Sequence, residues 1–79
     1  MKYVFIPREG DKDRFSENVN HFRERTDEEL IAAYQREANI GITGVHAQAL
    51  YLLALRKVMK ERFGKSPITL EDGCVIDLY

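Results

Sequence analysis

Two histidines, one cysteine and a turn framed by glycines are the groups in this sequence with the most chemical potential. His21 and His46 are its only imidazoles and Cys74 its only thiol. A metal site needs three or four such ligands at short, regular spacing. These three stand far apart and the acids are scattered, so the sequence predicts no metal centre and no cofactor. A Cys74–His46 pair of nucleophile and base would have to meet in space, and no pattern in the chain calls for it. Cys74 lies beside Val75 and Ile76 and reads as a small buried hydrophobe. The paired acids Glu28–Glu29 suit a helix start, and Glu71–Asp72 suits a turn. Neither signals acid–base work. The expectation is a protein that is not an enzyme.

The turn Ile40-Gly41-Ile42-Thr43-Gly44, followed by Val45-His46, is the other chemical candidate. Two glycines beside a helix start can present a concave row of backbone N–H groups to an anion. Gly41, Thr43, Gly44 and His46 are therefore the candidate anion or nucleic-acid contacts. The same glycines are also explained as a helix end and a tight turn. No basic residue follows in the first helical turn, and the phosphate-loop and dinucleotide patterns are absent.

The spacing Gly41-x-x-Gly44 between two helices is similar to the loop of KH domains, as is the order of elements around it. That resemblance implies a grip on single-stranded nucleic acid. It covers four residues and an element order. The chain departs from it in having Ile42 and Thr43 in the loop, where that family usually has a basic residue. About twenty residues also separate the first strand from the first long helix, instead of a short link. The resemblance therefore assigns no family.

The elements that must position these groups are readable in outline. Lys2–Ile6 is β-branched and aromatic and stops at Pro7, as a strand does. Residues Arg8–Arg14 read as a charged loop. Phe15, Val19 and Phe22 have helical spacing and predict either a short amphipathic helix or an irregular segment pinned by the two phenylalanines. Thr26-Asp27-Glu28-Glu29 is a capping box. It opens a helix that should bury Leu30, Ile31, Tyr34 and Ala38 and end near Asn39–Ile40, with Gly41 left-handed beyond it and Ile42 packing back. A second long helix, capped by Thr43, should run to Phe63 and stop at Gly64. Ile68–Leu70 and Cys74–Tyr79 read as strands joined by a turn at Glu71-Asp72-Gly73. The first and last strands should pair, since each alone would leave an exposed edge.

The second long helix carries one anomaly. Val45, Ala47, Tyr51, Leu52, Ala54, Leu55, Val58, Met59 and Phe63 fall on one broad side, the expected core. Arg56, Lys57, Lys60 and Glu61 fall on the other. Leu50 and Leu53 do not fit, lying on the polar stripe His46–Leu50–Leu53–Lys57. Either the segment around Phe15 to Phe22 folds over them, or a second chain does. The second option makes Leu50, Leu53, His46 and Lys57 an interface, most simply in a two-fold homodimer. The alternative is a nucleic-acid-binding module that uses the Gly41–Gly44 turn and nearby basic side chains. A modest further footprint would form if folding joined Arg23 and Arg25 to Arg56, Lys57, Lys60, Arg62 and Lys65, groups diluted by Glu24 and Glu61.

Bulk properties set limits on these readings. Hydrophobic residues make up 44% and charged residues 32% of the 79, a globular composition. Twelve basic and 13 acidic residues leave a formal charge of -1, with no global pull toward nucleic acid or anionic membrane. A single cysteine permits no internal disulfide and fits a reducing, cytoplasmic setting. No apolar run approaches the roughly 18 residues of a membrane span, and no signal-peptide pattern is present. The expectation is a single α+β domain over residues 1–79. In it, a helical hairpin, with a possible short N-terminal helix, packs on one face of a small three-stranded sheet. Its expected role is a protein-interaction module that self-associates.

Overall fold

A computed structural model describes residues 2–78. Strand β1 spans Lys2–Val4, helix α1 Asp11–Arg23, helix α2 Asp27–Ile40, helix α3 His46–Phe63, strand β2 Ile68–Glu71 and strand β3 Val75–Leu78. The fold is α+β, as expected. The sheet order is β1-β3-β2, and both pairings are antiparallel. The first and last strands do pair, with Lys2 opposite Asp77, Tyr3 opposite Ile76 and Val4 opposite Val75. Tyr79, assigned to the last strand on sequence, lies outside the described residues.

Residues directly opposite each other share a face of the sheet. Tyr3, Ile76 and Leu70 form one row across it, and Ile68 faces Leu78. These residues meet the hydrophobic core of the helices. Lys2, Asp77 and Thr69 form a row on the opposite face, where Lys2 also reaches Glu71 at 3.8 Å. The β2–β3 turn is closed by Cys74 N–H donating to the Glu71 carbonyl, with positive φ at Asp72 and Gly73. This is the backbone that the Asp-Gly pair is suited to adopt.

The segment before Thr26 forms a full helix, and it answers the anomaly of the two leucines. Asp11 and Asp13 occupy the first turn of α1, His21 and Arg23 the last, each matched to the helix dipole. Val19 and Phe22 are buried and Phe15 half-buried. This stripe lies along α3, which is covered by α1, α2 and the sheet. Its middle is apolar nearly all round because it is packed nearly all round. Leu50 is only 2% exposed, so of the two expected covers the Phe15–Phe22 segment is the one that buries it.

Helix α2 begins with the predicted capping box. Glu29 N–H donates to Thr26 Oγ1 at 3.2 Å, and Thr26 N–H donates to Glu29 Oε1 at 2.9 Å. Gly41 ends it, and Ile42 is buried behind it. The buried face differs from the predicted one. Leu30 and Ala33 are buried and Tyr34 half-buried, while Ile31 is 43% exposed and Ala38 is also exposed. Helix α2 leans on α3 through a side rotated from its own apolar stripe.

Two further corrections concern α3. Its N-cap is Val45, not Thr43, although the Thr43 hydroxyl accepts the Val45 N–H at 3.2 Å. Val45, Ala47 and Phe63, placed in the core on sequence, are exposed. They sit in the first and last turns, beyond the reach of the packed middle.

Candidate functional site

Three places gather chemistry-bearing side chains. The first joins the beginnings of three elements. His46 opens α3, Asp11 opens α1 and Tyr3 lies in β1. His46 Nε2 is 2.9 Å from Asp11 Oδ2 and 3.0 Å from Oδ1, and Tyr3 Oη is 3.3 Å from His46 Nδ1. An ionised carboxylate only accepts, so Nε2 carries a proton. Nδ1 then accepts from the Tyr3 hydroxyl when the ring is neutral and donates to it when the ring is charged. The Phe5 ring stacks on the imidazole at 5.0 Å. Side-chain exposure is 10% for His46 and 14% for Asp11.

Asp11 also accepts the Arg8 amide N–H at 2.6 Å. Burial acts to raise its pKa. The Arg8 amide, the His46 hydrogen bond and the charges of His46 and Arg8 outweigh that and hold it below its ordinary 3.8. A carboxylate–imidazole–phenol chain is the order that polarises a hydroxyl. Here it is covered by Phe5 and closed on itself, so it latches β1, α1 and α3 together. Both ring nitrogens are engaged by Tyr3 and Asp11, and half-buried Cys74 is not their partner. No local pattern signals this junction, because 35 and 43 residues separate His46 from its two partners.

The second place is the turn Gly41–Gly44. Gln48 fills it: its Oε1 accepts from Thr43 N–H at 2.9 Å and from the Thr43 hydroxyl at 3.0 Å, and its Nε2 donates to the Gly41 carbonyl at 2.8 Å. Gly41 N–H is bonded to Glu37 and Val45 N–H to Thr43. The donors that an anion would use at Gly41, Thr43 and Val45 therefore serve the turn itself. Of the four candidate anion contacts, Gly44 is exposed and His46 faces the latch.

The third place is the C-terminal half of α3, an 18-residue helix about 27 Å long that starts at that turn. Folding does join the two basic groups of the sequence here. Arg23 pairs with Glu61 at 2.9 Å, and Lys57 reaches the same carboxylate at 3.5 Å. The hydrogen bond from Arg23 holds the Glu61 carboxyl below its ordinary range, against the effect of burial. Arg62 is consumed inward. It donates to the carbonyls of Arg25 at 2.6 Å and Arg23 at 2.7 Å and pairs with Asp27 at 3.1 Å. A groove of 480 Å³ opens beside these groups, lined by Phe15, Leu53, Arg56, Lys57, Lys60 and Glu61. Leu53 is half-buried in its floor, and Lys57 is on its exposed rim.

The stripe His46–Leu50–Leu53–Lys57 is thus divided among the latch, the core and this groove. His21 is exposed, edge-on to Phe22. Among the described residues, no three His, Cys, Asp or Glu side chains are grouped to hold a metal ion. No described helix is long and apolar enough to cross a membrane. No protein family matches this chain, and comparison with curated proteins and with solved structures found no match.

Proposed function

We propose that this chain is a non-enzymatic interaction module that pairs with a second copy of itself through the outer shoulder of α2. The observation that carries this reading is the mismatch between the apolar stripe of α2 and the side it buries. Leu30 is fully buried, yet Ile31 and Ala38, on the adjoining stripe, are left outside. A chain of this size buries only about 60% of its unfolded surface, so an apolar helix face left outside is a loss it can recover by pairing. Covering the rest of Ile31 contributes on the order of 1 kcal/mol per chain.

Charge argues for a copy as the occupant. In a two-fold contact each patch meets itself, so a charged patch would meet its own sign. The run Leu30–Gln35 has no charged side chain, and the stripe Ile31, Tyr34, Gln35 and Ala38 is neutral throughout. It can lie on a two-fold axis, whereas the basic side of α3 cannot. One helix face makes a small interface, so the dimer should be weak and concentration-dependent, with a Kd of about micromolar or higher.

Solution mass by light scattering, across a protein concentration series, tests this. The wild type should move toward twice the chain mass as concentration rises. Replacing Ile31→Lys and Ala38→Lys should hold it at monomer mass with its circular dichroism unchanged, because both side chains are exposed and lysine suits a helix. A wild type that stays monomeric to about millimolar concentration, or a double variant that still dimerises, overturns the reading.

A further inference from the structure

Independently of the α2 pairing, the C-terminal half of α3 and the residues just beyond it carry unpaired cations. Arg56, Lys60 and Lys65 make no ion pair among the described residues, although acids outnumber bases by 13 to 12 in the chain. Arg56 and Lys60 stand one helical turn apart, a spacing at which like charges repel and cost the helix stability. The helix dipole offsets this only in the last turn, where Lys60 lies and Arg56 does not. Glu61, the one acid among them, is already held by Arg23 and Lys57.

These cations also have a shaped floor between them. Arg56 and Lys60 form a wall shared by two shallow grooves. One has the half-buried Phe15 ring and Leu53 at its base and Lys57 on its rim. The other runs past Gly64, Lys65 and Ser66 to β2 and has a volume of 340 Å³. A row of positive charge flanking an aromatic and aliphatic floor is the arrangement that holds a phosphate backbone while a base stacks. A polyanion without aromatic or apolar groups, such as polyglutamate, would use the charges and leave the Phe15 floor unused.

We propose that this face of α3 binds single-stranded nucleic acid without sequence preference, with Arg56, Lys57, Lys60 and Lys65 on the phosphates and the Phe15–Leu53 floor under a base. The ligand lies on a different element from the α2 shoulder, so binding persists whether or not the chain pairs.

The test is fluorescence anisotropy with a labelled oligothymidylate of about twelve nucleotides, against polyglutamate of matched charge. Binding should weaken with salt with a log–log slope of about -3, as expected for four cations on a single strand. Arg56→Glu with Lys60→Glu should lower affinity at least about tenfold at low salt. Arg14→Glu with Arg36→Glu changes net charge equally on other surfaces and should leave affinity within about twofold. The milder Lys60→Gln, which leaves an exposed helical position helical, should reduce the slope by about 0.7. Absent oligothymidylate binding at low salt, equal losses in the two charge-reversed variants, an unchanged slope in Lys60→Gln or equal affinity for polyglutamate would each overturn the proposal.

Discussion

At the scale of single residues, the most informative group is Asp11. It receives the Arg8 amide and the His46 ring, and both favour its charged form over the neutral acid. A carboxyl whose folded pKa is depressed adds stability above its unfolded value and loses it as pH falls through the folded one. For Asp11 that window opens below about pH 4. Thermal midpoints measured between about pH 2 and 6 should therefore fall more steeply for the wild type than for Asp11→Asn. Parallel curves would mean that the latch adds nothing in its charged form. Tyr3 and Phe5 complete the same junction, which makes the first strand part of a polar tie as well as of the sheet.

Elements are held together here by a few side chains that reach across helix ends. Arg62, in the last turn of α3, donates to two carbonyls at the α1–α2 corner and pairs with Asp27 at the start of α2. Those carbonyls lie at the last residue of α1 and in the turn after it, where no helical donor can satisfy them. Arg62→Ala should cost about 1–3 kcal/mol, read as a lowered urea midpoint. Arg62→Lys should recover only part of that, because a single ammonium cannot span both carbonyls as a guanidinium fork does. Full recovery by lysine would show that charge alone, and not the fork, holds the corner. Helix α2 depends on this corner and its capping box, since it buries only Leu30 and Ala33 along 14 residues.

For the whole molecule, the decisive arrangement is α3 at the centre with a different neighbour on each side. Leu50 shows the consequence. Beneath α1 it is a core residue, and Leu50→Ala should cost about 2–5 kcal/mol in urea unfolding without lowering the solution mass. An unchanged midpoint with a lowered mass would instead make Leu50 an intermolecular contact. The same arrangement sends unlike surfaces in different directions. The neutral shoulder of α2 suits a copy of the chain, and the cationic half of α3 suits a polyanion. A near-zero net charge hides this, because net charge sums over faces that never meet the same partner.

The local sequence by itself determined the elements whose causes are local. The capping box at Thr26 and Glu29, the helix end at Gly41, the stop at Gly64 and the Asp72-Gly73 turn rest on residues within a few positions of each other. Backbone conformation and hydrogen bonding at that range leave little choice. Pairing of β1 with β3 was also legible, since two apolar strands at the chain ends share a need for partners. Tertiary structure alone decided which faces are used. Periodicity gives the apolar side of α2 but not the direction from which α3 arrives, so Ile31 and Ala38 were placed inside and lie outside. It flagged Leu50 and Leu53 as unexplained but could not name α1 as their cover, because Phe15, Val19 and Phe22 acquire meaning only when their helix docks. The His46 latch and the Arg56–Lys60 groove were illegible for the same reason: their parts come from distant segments, and proximity in space follows from packing, which no short stretch of sequence contains.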